Sequence, residues 1–348
     1  RAHLMSYETS NVTLPADKPR TNRIWFGLLL LAMLALPLIA PPFWIYFAAI
    51  LGINLVATQG LNIMMGYTGL LSLGHAAFMG VGAYTAALLQ IHLSLPFYIT
   101  IPLAGVSAAI VGIGFGLPSL RIRGLYVVIA TLSAQFILLF VFVHWQSVTN
   151  GDVGLNIAPA RLFGYELNTD TRSYYLIMTV AVGMTIFASN LIKSRVGRAF
   201  IAVRERDLTA QVLGVQIVKY KLTAFAIGSF YAGVAGGLLV YFNKFVTPEQ
   251  FGLIVSVFFL SAVIVGGMGS ILGAILGALF MTLIPEVLRE SMLAIGELFS
   301  INTASILVPL REIIFGFLIV GFLIFEPRGL AHIWKRIRSS YSTRNKRG

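Results

Sequence analysis

The chain has 348 residues, of which 57% are hydrophobic and 11% charged, with a mean hydropathy of +0.86 and a formal charge of +12. Soluble domains average about 45–50% apolar and about 25% charged residues, so the composition excludes an ordinary soluble protein and points to a membrane. There is no cysteine, which rules out a disulfide framework and a thiolate metal site.

In chain order, the four residues ahead of Met5 are set aside from fold reasoning, and the polar stretch to Arg23 lacks the apolar core of a signal peptide. Asn11-Val12-Thr13 matches a glycosylation sequon; in a tail expected inside the cell it is read as incidental. Ten apolar runs follow, at 24–40, 43–65, 70–90, 97–118, 124–146, 174–192, 222–242, 251–267, 270–288 and 306–325. A helix crosses the ~30 Å hydrocarbon core with about 20 apolar residues. The expected fold is therefore all-α, a polytopic membrane protein with about ten transmembrane helices. The third and ninth runs follow Gly-rich turns, "GYTGLLSLGH" at 66–75 and "GGMGSILG" at 266–273, and are expected to be broken or re-entrant. Such backbone survives in a membrane where protein or a cavity shields it. Gly66-x-x-Gly69 and Gly266-x-x-Gly269 are offset by 200 residues. The offset fits an internal repeat of the transporter kind or ordinary Gly-mediated helix packing.

Charge sets the expected orientation. With the N-terminus inside, ten spans leave 1–23, 121–123, 193–221 and 326–348 in the cytoplasm, and these carry 20 of the 25 Lys and Arg residues. Arg161, Arg172, Lys244, Arg289 and Arg311 fall at or near the outer face, with eight of the thirteen acids. Cytoplasmic loops hold an excess of Lys and Arg, so both termini are expected inside, and the positive charge does not imply nucleic acid. The expected organisation is a cytoplasmic tail 1–23, a permease domain 24–325 and a basic cytoplasmic tail 326–348. The outer loop 147–173 is polar and rich in turn residues, and reads equally as a solvated connector or as a docking surface for an external partner.

Recognisable chemistry is sparse. No Gly-Lys dipeptide occurs, so there is no Walker-type phosphate loop. None of the five histidines has a metal-ligand partner at helical spacing, and no Gly-x-Ser-x-Gly elbow appears. The midmembrane segments are nearly free of charge, against the pattern of a proton relay; Glu312 beside Arg311 reads as an interfacial ion pair. Catalytic and metal sites are therefore expected to be absent.

One stretch breaks the pattern. "RVGRAFIAVRERDLTAQVLGV" at 195–215 is charged and helix-forming. Asp207 suits a helix start and Gly214 a stop. Ile201, Val203, Leu208, Ala210, Val212 and Leu213 form an apolar side, and Arg204, Glu205 and Arg206 a charged one. A short amphipathic helix there would lie on headgroups, cap the bundle, or fit a groove on a cytoplasmic partner.

The stretch "GRAFIAVRERDLTAQVLGVQIVKYKLTAFAIGSFYAGVAGGL" (197–238) resembles the cytoplasmic loop and following helix of permease subunits of branched-chain amino acid ABC importers. Four further blocks are similar to the same family in collinear order: 60–89, "RIRGLYVVIATLSAQF" (121–136), "VGGMGSILGAILGALFMTLIPEVL" (265–288) and "FEPRGL" (325–330). Length and the "EPRGL" ending resemble the M-type subunit rather than its H-type partner. The resemblance implies a heterodimer with an H-type permease in a bacterial inner membrane, two cytoplasmic ATP-binding subunits that use ATP and Mg, and a periplasmic amino-acid-binding protein. It implies no cofactor on this chain. It also implies that the loop passes ATPase closure to the helices, with Gly197, Arg198, Arg204, Glu205, Asp207, Ala210 and Gly214 as the coupling motif.

A path for a zwitterion with an aliphatic side chain needs amide, hydroxyl and freed backbone groups rather than charges. Candidates are Asn54, Gln59, Asn62, Thr68, Ser72 and His75, then Thr131, Ser133 and Gln135, then Ser261. Polar residues in apolar runs must face protein or a cavity, and interhelical hydrogen bonding explains any single one as well. Two other functions remain open: a permease for urea, short amides or another small polar solute in the same family, and a stand-alone secondary transporter or channel.

Overall fold

The computed structural model describes residues 36–119, 125–162, 165–166 and 169–299, with scattered positions between 313 and 336. Ten helices are labelled within it: α1 Pro42–Leu61, α2 His75–Leu93, α3 Phe97–Ser119, α4 Leu125–His144, α5 Asp170–Lys193, α6 Arg195–Glu205, α7 Asp207–Val212, α8 Ile217–Asn243, α9 Leu253–Gly266 and α10 Ile271–Phe299. Eight of the ten expected apolar runs coincide with helices long and apolar enough to cross a membrane. Residues 24–35, most of 306–325, the N-terminal tail, most of the C-terminal tail, Arg121, Arg123, Arg311 and Glu312 lie outside the described residues.

The helix ends follow local chemistry. Pro41 and Pro42 preset the backbone at the start of α1. At its far end α1 widens into a π-helical turn, Asn62–Tyr67, and stops before Gly69 at φ 75°. The third run therefore begins its helix at His75 rather than at 70, because 68–74 is spent on the turn. Asp170 in the first turn of α5 and Lys193 in its last complement the helix dipole.

α8 forms the centre of the bundle and packs on α3, α2 and α1. Small residues let the backbones meet: a β-carbon at Gly236 would collide with the Met79 carbonyl, and one at Gly82 with the backbone of Gly233. With no hydrophobic drive between helices in lipid, close approach of this kind is a main source of association. α1 runs antiparallel to α10, tied by Asn54 Nδ2 donating to Thr282 Oγ1 at 3.1 Å. α10 is roughly 43 Å long, longer than the ~30 Å core. Near its far end Arg289 bonds Glu286 and Glu290 and sits 5.9 Å from the Phe43 ring centre.

The all-α expectation needs a small amendment. The 147–173 loop is folded rather than a plain connector: a helical turn at Gln146–Thr149 leads to β1 Leu155–Asn156, β2 Arg161–Leu162 and β3 Tyr165–Glu166. β1 pairs antiparallel with β4 Phe245–Val246, just past α8, and β2 pairs with β3. One end of the bundle thus gathers 94–96, 145–162, 165–166 and 244–252, and the opposite end gathers 68–74, 194–216 and 267–270.

Candidate functional site

The charged island folds as two helices rather than one. Ser194 caps α6, its Oγ accepting from Val196 N at 3.1 Å and Gly197 N at 3.5 Å. Gly197 makes the corner with α5, where a β-carbon would strike the Ile192 carbonyl. α6 ends at Glu205 because Arg206 is extended at φ −155°. Asp207 then opens α7 and accepts from Lys221 Nζ of α8 at 2.7 Å. Gly214, at φ 84°, ends the unit.

The break at Arg206 rotates α7 relative to α6, and this corrects the single apolar face. Ala199, Phe200, Val203 and Ala210 turn inward and are buried, whereas Ile201 is exposed and Leu208, Val212 and Leu213 are 65%, 88% and 77% exposed. The outer side of this two-helix unit therefore presents an apolar knob beside exposed Arg198, Arg204, Glu205 and Arg206. Arg198 Nη1 bonds the Lys193 carbonyl at 3.1 Å, and Arg204 Nη1 bonds the Gly66 carbonyl.

The polar residues of the helices form a seam around the start of α2. A helix that begins inside a membrane leaves amides without partners, and these must find acceptors. Ala76 N donates to Ser256 Oγ at 2.9 Å and Ala77 N to Gln135 Oε1 at 3.0 Å. Gln135, fully buried, also accepts from Ser256 Oγ and donates to the Phe251 carbonyl at 2.6 Å. Leu73 N donates to Thr131 Oγ1, Gly74 N to Ser72 Oγ, and Thr68 Oγ1 to the Ile63 carbonyl. His75 Nε2 donates to the Ala57 carbonyl at 2.8 Å, with the ring edge-on to Phe259.

Gln59 reaches Thr185 of α5, and Asn62 reaches Gly269 and Ser270. Asn54 is half-buried on Thr282, and Ser261 is half-buried on α9. Ser133 lies apart from the seam, exposed and bonded to its own helix at Ile129. Ser256 was missed because hydroxyls are common in apolar helices; it lies five residues before Ser261 on α9, and only packing shows which one reaches α2. Among the described residues seven buried side-chain atoms have no hydrogen-bond partner: Thr58 Oγ1, Gln59 Oε1, His75 Nδ1, Tyr84 Oη, Gln90 Oε1, Ser229 Oγ and Gln250 Oε1. At the opposite end a cavity of about 250 Å³ is lined by Gln90, Ser94, Phe97, Ala158 and Tyr241, none of them a sequence candidate.

Residues 41–323 match the family described as branched-chain amino acid transport system, permease component. The chain belongs to this family. The matched residues take in every labelled helix of the permease. It is 33% identical to the high-affinity branched-chain amino acid transport system permease protein LivM of Salmonella typhimurium, over 82% of this chain and 74% of that one. The LivM of Escherichia coli is likewise 33% identical, over 85% and 76%. A probable permease protein of the LivH type from Methanocaldococcus jannaschii is 26% identical, over 85% and 94%. No solved structure matches the permease. The likeness to the M-type proteins agrees with the motif-based resemblance, and the permease is a multi-pass membrane protein.

Proposed function

We propose that the permease is the M-type membrane subunit of an ABC importer that moves leucine, isoleucine and valine across a bacterial inner membrane. The observation that carries this reading is the 33% identity to two LivM proteins along more than four fifths of the chain. In this reading the chain has about ten spans with both termini in the cytoplasm. It pairs with an H-type permease and receives solute from a periplasmic amino-acid-binding protein at the 145–162 end. It carries no ATPase site; two cytoplasmic subunits hydrolyse ATP with Mg.

Charge supports the orientation. The loop 193–221 holds seven Lys and Arg against two acids, as a cytoplasmic segment should. The apolar knob of Leu208, Val212 and Leu213 fits a groove on an ATPase subunit, the usual way a short helix docks. Movement of the knob reaches the membrane through Phe200, fully buried, and through the Asp207–Lys221 pair on α8. Along the path, solute is offered groups that hydrogen-bond without fixed charge. Thr58, Gln59, His75 and Ser229 have atoms free to do so.

The test is uptake into proteoliposomes holding the native complex. Leucine should enter only with binding protein outside and ATP on the ATPase side, and this chain alone should carry none. Reversing both charges, Arg204→Glu with Glu205→Arg, should leave hydrolysis and assembly intact while abolishing most uptake. Full uptake by the double variant would reduce the loop to a cap or lipid contact.

A further inference from the structure

Four segments distant in sequence meet at the end that holds the two-helix unit 195–212, the lever of the coupling reading. The two Gly turns, 200 residues apart, take the same left-handed conformation, with Gly69 and Gly269 both at φ 75°. They also touch: a β-carbon at Gly66 would collide with the Gly269 amide. Asn62, 2% exposed, spends both ends of its amide on this junction. Its Oδ1 accepts from Gly269 N at 2.9 Å and its Nδ2 donates to the Ser270 carbonyl at 3.0 Å. Gly329, buried and at φ 77°, packs on the second turn against Gly267.

Arg204 lies across the outside of the junction. Its guanidinium bonds the Gly66 carbonyl of the first turn. A β-carbon at Gly269 would lie 2.6 Å from Arg204 Nη1, and one at Gly69 would lie 3.4 Å from Arg204 Cγ. Both left-handed glycines therefore border the same side chain, and a β-carbon at Gly269 would crowd its guanidinium. Arg204 and, two residues on, Arg206 are both exposed.

We propose that Arg204 and Asn62 are positioning residues of one strut, which joins the lever to the pair of Gly turns and sets whether α1 and α10 can part at this end. This rests on the coupling reading of the 193–221 loop and adds where the stroke is delivered: at the contact between the two halves of the chain, not along α8 alone. A charge-assisted bond to a carbonyl has the strength to hold such a junction.

Two measurements test it. In hydrogen exchange on the purified full chain, Arg204→Gln should speed exchange of the Gly269 amide about tenfold, as for one lost charged hydrogen bond. Arg206→Gln, which removes the same charge, should leave it unchanged. In the reconstituted importer, Arg204→Gln and Gly269→Ala should each cut solute carried per ATP hydrolysed by about tenfold, with the complex still co-purifying and hydrolysing ATP. Gly269→Ala crowds the guanidinium. Unchanged exchange at Gly269 in Arg204→Gln overturns the proposal, as does a wild-type transport ratio in an assembled Gly269→Ala complex. If Gly269→Ala fails to assemble, the two readouts on Arg204→Gln decide. A wild-type complex without ATP-driven uptake would refute the coupling reading instead, and the exchange result would still decide the strut.

Discussion

Gln135 shows what a single polar side chain does in this bundle. Its amide joins α2, α4, α9 and the Phe251 carbonyl, and it is fully buried. Removing it strands an amide and a carbonyl, each costing about 1–3 kcal/mol. Gln135→Leu should therefore lower the thermal midpoint of the solubilised permease by roughly 4–8 °C, taking about 2–4 °C per kcal/mol and a loss of about 2 kcal/mol. Ser133→Ala, on an exposed side chain two residues away, should leave the midpoint within about a degree. Equal midpoints for the two variants would show that the seam is not structural. Sequence made Gln135 legible as a residue that must face protein, because an amide in an apolar run has no partner in lipid. It did not reveal Ser256 as its partner, since that pairing joins helices 121 residues apart.

At the scale of elements, the apolar runs were legible because a span is written in contiguous composition. The eight described spans begin and end within a few residues of their expected limits, apart from α2, α10 and the sixth and seventh runs, which the structure lengthens or shifts. The π turn at Asn62–Tyr67 and the break at Arg206 were not legible. Each coincides with contacts to distant segments that local composition does not encode: Asn62 with Gly269 and Ser270, and Asp207 with Lys221. Helix contact gives a contrasting pair of glycines. Gly236 meets the Met79 carbonyl, whereas Gly183 on α5 has open space around it. Gly236→Ala should destabilise by about 1–3 kcal/mol through forced separation of α2 and α8. Gly183→Ala should be neutral or stabilising by up to about 1 kcal/mol, because alanine favours the helix. Denaturation in mixed micelles checks both, and a stable Gly236→Ala would contradict the packing described for α8.

The whole molecule has two unlike ends. One is a folded loop with short strands over a cavity of about 250 Å³. The other holds a two-helix unit laid on paired Gly turns, with seven Lys and Arg in its loop. The central claim is that this second end faces the cytoplasm and is gripped there by an ATPase. Because the chain has no cysteine, single cysteines report sidedness directly. Leu213→Cys and Val153→Cys sit at positions 77% and 73% exposed, one at each end. With a membrane-impermeant maleimide, Val153→Cys should react in intact spheroplasts and Leu213→Cys should not. In inside-out vesicles Leu213→Cys should react once the ATPase subunits are stripped, and be shielded when they are restored. Labelling of Leu213→Cys from the outside, or equal reactivity with and without the ATPase, would contradict the account.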